Sequence, residues 1–323
     1  MASQALRTIA GLILLASAFG LCAQTYPSKP IKIIVPFAAG SGADDNSRFF
    51  GDLVSRAWGQ PVVVENRPGG SGVIAALAVK GAPADGYTLF CGTNSPITVN
   101  PVVMKDLPYD PIKDFTAVSM VVITPTVLAV TPDVPVRSVK ELIALAKSKP
   151  GALAYGSSGV GSTTHIAGEM LASMAGIQLN HVPYKSASAA YPDVFSGRVA
   201  LIFDTALSML QHIKAERVRP LAVTTPARAS ILPNLPTISE AGVPGYAITL
   251  WIAIYAPAGT PAPIVGRLNK EIAHALNLPA VREQMTLQGA EIAVGSPADL
   301  LAATKSDLKK MGELVKAAKI VAQ

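Results

Sequence analysis

Two short stretches hold residue types suited to catching an anion. Ala38-Ala-Gly-Ser-Gly-Ala-Asp44 follows the apolar run Ile31-Lys-Ile-Ile-Val-Pro-Phe37, and Ser158-Gly-Val-Gly-Ser-Thr-Thr-His165 follows Leu153-Ala-Tyr-Gly-Ser157. In each, a strand-like run passes through a turn of tiny residues into a segment with helical periodicity. Backbone N–H groups at a helix start have no partner inside the helix, and the helix dipole adds partial positive charge there. Two such turns, in what read as two separate domains, suit a small ligand carrying one or two carboxylates.

Other chemistries fit less well. Gly40-Ser-Gly42 after a strand, with Glu65 ending the next one, is reminiscent of a dinucleotide-binding turn. Asp45 stands where the third glycine belongs, however, and with Asp44 it would set two carboxylates beside a pyrophosphate. Gly156-Ser-Ser-Gly159 approaches a nucleophile elbow, but Val160 breaks the Gly-x-Ser-x-Gly pattern. The histidines are His165, His181, His212 and His274, and no His-Glu-x-x-His or cysteine pair offers a zinc site. His165 opens a helix and His181 lies within a strand, which suits structural roles. No enzymatic activity, metal or cofactor is expected.

Three further positions are candidates. Asp204 ends a strand just before Thr205-Ala-Leu, so it reads both as a helix N-cap and as a crevice carboxylate receiving a ligand ammonium or hydroxyl. Phe37 and Trp251 are candidate apolar walls. Arg67 is a candidate anion contact, with a structural salt bridge as the stronger reading.

These residues need elements to hold them. After residue 30 the pattern alternates, with strands at 31–37, 61–65 and 87–91 and helices at 44–58 and 72–80. Such alternation predicts a mostly parallel sheet covered on both faces. Extended runs at 115–123 and 126–131 follow, separated by Thr124-Pro125. A second block opens at the capping box Ser138-Val-Lys-Glu141 with a helix through 147. It continues with strands at 153–157, 179–184, 199–204 and 220–224, and helices at 162–175, after 186 and up to about 215. Another extended run covers 247–256. Ile264, Leu268, Ile272 and Leu276 give one helix an apolar face, and Ser296-Pro-Ala-Asp299 starts another. The chain is therefore read as α/β with two lobes, each a mostly parallel sheet flanked by helices, joined by long strands crossing near 124 and 250. The first lobe takes residues 24–124 and 252–323, the second 125–251. Two crossings make a hinge, and ligands of such folds sit in the crevice at the strand C-termini.

The 323 residues are 50% apolar and 15% charged, enough to bury a large core. Arg7 and the uncharged run 8–21 have the layout of a secretory signal peptide, too short for the roughly 20 residues of a membrane span. Residues 1–23 are read as that leader, with cleavage near Ala23 and a site after Ala18 as the alternative. Cys22 would allow a lipid anchor, but Leu21 occupies a position that wants a small residue, so a lipoprotein is the weaker reading. Cys91 then remains as the single thiol, in an apolar run that suits an inert core residue. A net charge of +6 is compatible with anionic ligands, whereas the lack of any Lys/Arg run argues against nucleic acid.

A set of phrases then carries a family resemblance. They include Tyr26-Pro-Ser-Lys-Pro-Ile31, Gln60-Pro-Val-Val-Val-Glu-Asn-Arg-Pro-Gly69, Ala84-Asp-Gly-Tyr-Thr88, Leu107-Pro-Tyr-Asp-Pro111, His181-Val-Pro-Tyr-Lys185, Phe203-Asp204 and Ala256-Pro-Ala-Gly-Thr-Pro261. In this order and spacing the chain resembles the Bug family, the periplasmic solute receptors of tripartite tricarboxylate transporters. The resemblance implies a two-lobed, hinge-closing (Venus flytrap) binding protein of the periplasm with no catalysis. It implies that a carboxylate is held by N–H groups and water in the two Gly/Ser turns. By position the contacts are Phe37, Ala38, Gly42, Ala43 and Asp44 in the first lobe, and Ser157, Ser158, Ser162, Thr163, Ser186 and Asp204 in the second. Ala43 lacks the hydroxyl usual there, and Ser186 replaces the usual glycine after Pro-Tyr-Lys. Loss of one neutral hydrogen bond is worth roughly 1 kcal/mol, enough to alter preference among acids. An amino, hydroxy, aromatic or dicarboxylic acid is the expected ligand, and an ionised Asp204 favours the first three. Integral-membrane permease subunits are the implied partner of a monomeric receptor, with an extracytoplasmic sensor subunit as the alternative.

Overall fold

The computed structural model describes residues 26–287 and 289–317; the expected leader, residues 1–23 with Cys22, lies outside them. Among the described residues no helix is long and apolar enough to cross a membrane. The chain opens with β1 (Ile31–Val35), which Pro36 stops, and α1 (Gly42–Trp58). Then come β2 (Val62–Asn66), α2 (Val73–Lys80) and β3 (Thr88–Thr93). A π-helical turn over Ser95–Val99 leads into α3 (Asn100–Val103), an element the sequence left unassigned. β4 (Phe115–Thr124) and β5 (Thr126–Val130) follow, broken only at Pro125.

The second block runs α4 (Val139–Ser148), β6 (Ala154–Ser157), α5 (Thr163–Ala175), β7 (Asn180–Pro183), α6 (Tyr191–Phe195), β8 (Leu201–Thr205), α7 (Ala206–Lys214) and β9 (Arg219–Val223). β10 (Leu250–Pro257), α8 (Ala262–Leu276), α9 (Pro279–Leu287), β11 (Glu291–Ile292) and α10 (Pro297–Ala317) complete it. Ser138 caps α4 by accepting the Glu141 N–H, as its motif requires.

The strands form two sheets, ordered β11-β4-β10-β3-β1-β2 and β7-β6-β8-β5-β9. The two-lobed α/β arrangement read from the sequence is present, but the sheets are mixed rather than mostly parallel. β1 is parallel to β2 and β3, and β6 is parallel to β7 and β8. β10 is antiparallel to β3 and β4, and β5 is antiparallel to β8 and β9. The crossing strands are the cause. β4 leaves the first sheet beside the point where β10 returns to it, so the two must run in opposite directions.

Apolar faces of both sheets are buried under helices, with Phe50, Leu268 and Ile272 on one face of the first sheet and Phe90, Phe115 and Trp251 on the other. α10 does more than return to the first lobe. Its Leu300 joins the first sheet's core, while Met311 and Val315 pack in one cluster with Val99, Val103, Met170 and Leu171. Burying such a side chain stabilises by roughly 1.5–3 kcal/mol, so this helix fastens the two lobes behind the cleft. Asp307 of α10 also accepts hydrogen bonds from Trp251 Nε1 at 3.0 Å and Thr98 Oγ1 at 3.1 Å. Asn94 holds the same returning strand, accepting from the Trp251 N–H at 2.9 Å and donating to the Thr249 carbonyl at 3.1 Å.

Candidate functional site

The first Gly/Ser turn is built around the start of α1. Ser41 is its N-cap and accepts the Asp44 N–H at 3.3 Å, leaving the Gly42 and Ala43 N–H groups as orphan donors of the first turn. The Asp44 carboxylate points away from the cleft. It accepts from the Gly40 N–H at 3.0 Å, from Asn66 Nδ2 at 2.9 Å and from Arg48 Nε at 3.1 Å. Burial opposes its charge, but the bonds from Arg48, Gly40 and Asn66 outweigh that and hold the carboxyl below its usual range. Gly40 sits at φ +75°, and Asp44 secures the turn in that shape.

The second turn is made by Gly159 (φ +110°) and Gly161 (φ +75°), conformations that favour glycine. Ser162 caps α5 by accepting the His165 N–H at 3.1 Å. Behind the turn, Tyr155, His181 and His165 stack in a row, the two imidazoles 4.1 Å apart. The His165 Nδ1 accepts the Gly161 N–H at 3.1 Å, and His181 Nε2 meets Ser157 Oγ at 2.6 Å. Burial pushes both imidazoles down to about 4, with mutual repulsion adding at His181, so both are neutral near pH 7. A neutral His165 can accept from Gly161; the histidines shape the turn and are structural, as read from the sequence.

Both turns face a cavity of about 40 Å³ between the lobes. Of the residues expected there, Phe37, Gly42, Ala43, Ser158, Thr163, Ser186 and Asp204 line it. Ala38, Asp44, Ser157 and Ser162 do not. Ala38 offers its carbonyl to the Ser41 N–H within the turn, and the other three spend their side chains holding the turns. Trp251 is not a wall: it faces the core and Asp307, and the alternation of the strand gives the cavity Leu250 instead. Arg67 is paired with Glu65 at 2.6 Å.

Thr93, Ser95 and Thr205 also line the cavity and were not singled out in the sequence. Their signal was position, since each lies at the C-terminal end of a strand or just past it. Thr93 Oγ1 is buried and has no hydrogen-bond partner among the described residues. Ser95 Oγ accepts the Thr163 N–H at 3.0 Å across the cleft, and Ser71 Oγ donates to the Val160 carbonyl beside it. The lobes therefore touch, and room remains for a few waters.

A third helix start joins the two expected ones. Thr205, not Asp204, is the N-cap of α7, accepting the Ser208 N–H at 3.2 Å. Asp204 is only 7% exposed; it accepts from the Tyr191 hydroxyl at 2.5 Å and the Thr205 N–H at 2.7 Å. Burial raises its carboxyl to about 6, against those two hydrogen bonds and with help from Asp45. The lining thus combines hydroxyls, orphan N–H groups and three helix N-termini, and among the described residues it contains no Lys, Arg or His. Such a surface attracts an anion through fixed dipoles rather than through a counter-charge.

Several solved structures share this shape. Rpa4515 of R. palustris, solved with adipate, is 38% identical, with a TM-score of 0.89 over 92% of this chain and 99% of that one. The periplasmic binding protein BugD is 32% identical (TM-score 0.88, 92% and 100% covered). MatC (Rpa3494) from Rhodopseudomonas palustris, solved with bound malate, is 27% identical (TM-score 0.85, 90% and 100% covered). Residues 47–320 match the family described as "Tripartite tricarboxylate transporter family receptor". The chain belongs to that receptor family, a family of solute-binding proteins and not of enzymes.

Proposed function

We propose that this protein is an exported periplasmic receptor that closes its two lobes on a small organic carboxylate and hands it to a tripartite tricarboxylate-type permease. One observation carries the reading: the starts of α1, α5 and α7 meet at a cavity between the lobes whose lining offers N–H and O–H donors and no cationic side chain. Relatives solved with adipate and malate support the ligand class. The ligand carboxylate is received by the Gly42, Ala43 and Thr164 N–H groups and by Thr93 and Ser158. Residues 24–124 with 252–323 move as one lobe and 125–251 as the other, in a single chain acting as a monomer.

Ligand binding to the folded state alone must stabilise it, by about 2.7 kcal/mol at a hundredfold excess over Kd. A thermal-shift series of amino, hydroxy, aromatic and dicarboxylic acids tests this, with calorimetry on those that shift. Native mass spectrometry of protein purified from its own host names the ligand if one is retained. A flat series with every acid refutes the carboxylate receptor. Delivery is tested with vesicles carrying the permease, where uptake must depend on added receptor; uptake without it removes the transport step.

A further inference from the structure

The inner cavity is too small for a long ligand, and its one ionisable side chain, Asp204, is an anion. Ser158 lines both this cavity and a second, outer hollow of about 680 Å³ between the lobes. That hollow is walled by Met104 of the first lobe and by Val160, Pro183 and Tyr184 of the second. Among the described residues lining it, Lys185 is the one that carries a charge. Among the described residues Lys185 is exposed and forms no ion pair, whereas nine other Lys or Arg side chains have an Asp or Glu partner within 4.0 Å, Lys29, Lys32 and Lys80 among them. It is followed directly by Ser186, which is 2% exposed and lines the inner cavity. One short loop therefore presents a polar inner surface and a free ammonium at the outer mouth.

From this we infer a second, outer anion subsite at Lys185 that receives the distal carboxylate of an elongated dicarboxylate. The inference rests on the receptor reading above and adds a shape to the ligand. The first carboxylate lies at the helix starts, the carbon chain passes Ser158 along Met104 and Val160, and the second carboxylate leaves the Asp204 side altogether. A lysine suits this place: its flexible stem lets one ammonium follow ligands of different length, as a point charge rather than a fixed fork.

The test is calorimetry on the full mature chain with adipate, its longer and shorter homologues, and the monoacids of matching length. Lys185→Met should weaken the diacids about fivefold, the upper range for a solvent-exposed ion pair, and leave the monoacids unchanged. Lys185→Arg should restore most of the diacid affinity, and added salt should erase the difference between wild type and Lys185→Met. Equal losses for diacids and monoacids, or none for either, overturn the subsite while leaving the receptor reading in place. No binding of any acid to the wild-type chain overturns both.

Discussion

Replacing Asp204 by Asn should change how stability and ligand affinity depend on pH, and both changes can be sized. The folded carboxyl titrates near 6 against an ordinary 3.8, because burial disfavours its charge. A raised acid is neutral and unpenalised below pH 3.8, and its penalty grows as pH rises through 6. Two units correspond to about 3 kcal/mol of stability lost between pH 4 and pH 7. His165 and His181 act with the opposite sign. Their folded pKa values fall to about 4 from 6.5, so their contribution is present above 6.5 and is lost as pH falls toward 4. In wild type the two effects partly cancel. Asp204→Asn removes one side only, so the variant should gain on wild type by about 3 kcal/mol at neutral pH relative to acid pH, with a steeper acid loss. Asparagine keeps the shape, since its carbonyl can accept the Thr205 N–H and its amide can meet the Tyr191 hydroxyl.

Affinity follows from the same carboxyl. If a bound plain carboxylate requires Asp204 neutral, log Ka must fall by one unit per pH unit above about 6, roughly a hundredfold by pH 8. The variant should show no such slope. Urea denaturation and calorimetry between pH 4.5 and 8 read both quantities. A wild-type affinity that is flat across this range, together with parallel stability profiles for the two proteins, refutes a buried, shifted carboxyl facing the ligand.

A methyl group added at Gly42 would meet Thr205 of the opposite lobe at 3.1 Å, so Gly42→Ala should resist closure. Overpacking of this kind costs about 1–3 kcal/mol, giving at least a fivefold affinity loss by calorimetry with an unchanged or raised melting temperature. Thr93→Val removes a buried hydroxyl that has no partner among the described residues, so stability should hold or rise while carboxylate affinity falls about fivefold. An unchanged Kd would place that hydroxyl outside the ligand's reach. Asp44→Ala frees the Gly40 turn from Arg48 and Asn66 and should lower stability by about 2 kcal/mol at neutral pH. Because the Asp44 carboxyl is depressed, that difference should be full above the ordinary range of an aspartate and shrink as pH falls below it, read by denaturation at pH 3 and 7.

Much of the scaffold is legible in the sequence because it is local. Ser138, Ser162 and Ser296 mark helix starts through side-chain caps that the structure contains, and Pro36 and Pro125 end strands. The mixed sheets were not legible, since alternation of strand and helix says nothing about a strand that arrives from another lobe. The site shows the same division. Both Gly/Ser turns could be read, as could the cavity position of Asp204. What could not be read is which way a side chain faces once a turn closes. Asp44 and Ser157 have the right chemistry at the right place and turn it inward, toward Gly40 and His181, because the turn's own N–H groups need partners. Thr93 and Ser95 went unseen because a hydroxyl at a strand end has no spacing to announce it. Trp251 and Leu250 differ by one residue and exchange wall for core, a distinction only the pleat supplies.

The charge balance of the cavity limits what it can hold. Each helix start carries about half a positive charge, so three together offset roughly one and a half negative ones. A single ligand carboxylate leaves a surplus that an ionised Asp204 would consume, tipping the site slightly negative. A second carboxylate in the same space would carry it well beyond what the dipoles offset. Three ways out are open to a ligand: a proton on Asp204, an ammonium or hydroxyl beside it, or a second acid group held at the outer mouth. The first predicts affinity that falls as pH rises. The second predicts an amino acid that loses affinity in Asp204→Asn while a plain monoacid does not. The third predicts dependence on Lys185 without either of the others. Asp204 is thus the residue against which every candidate ligand has to be weighed, because it makes an anion site discriminate among anions.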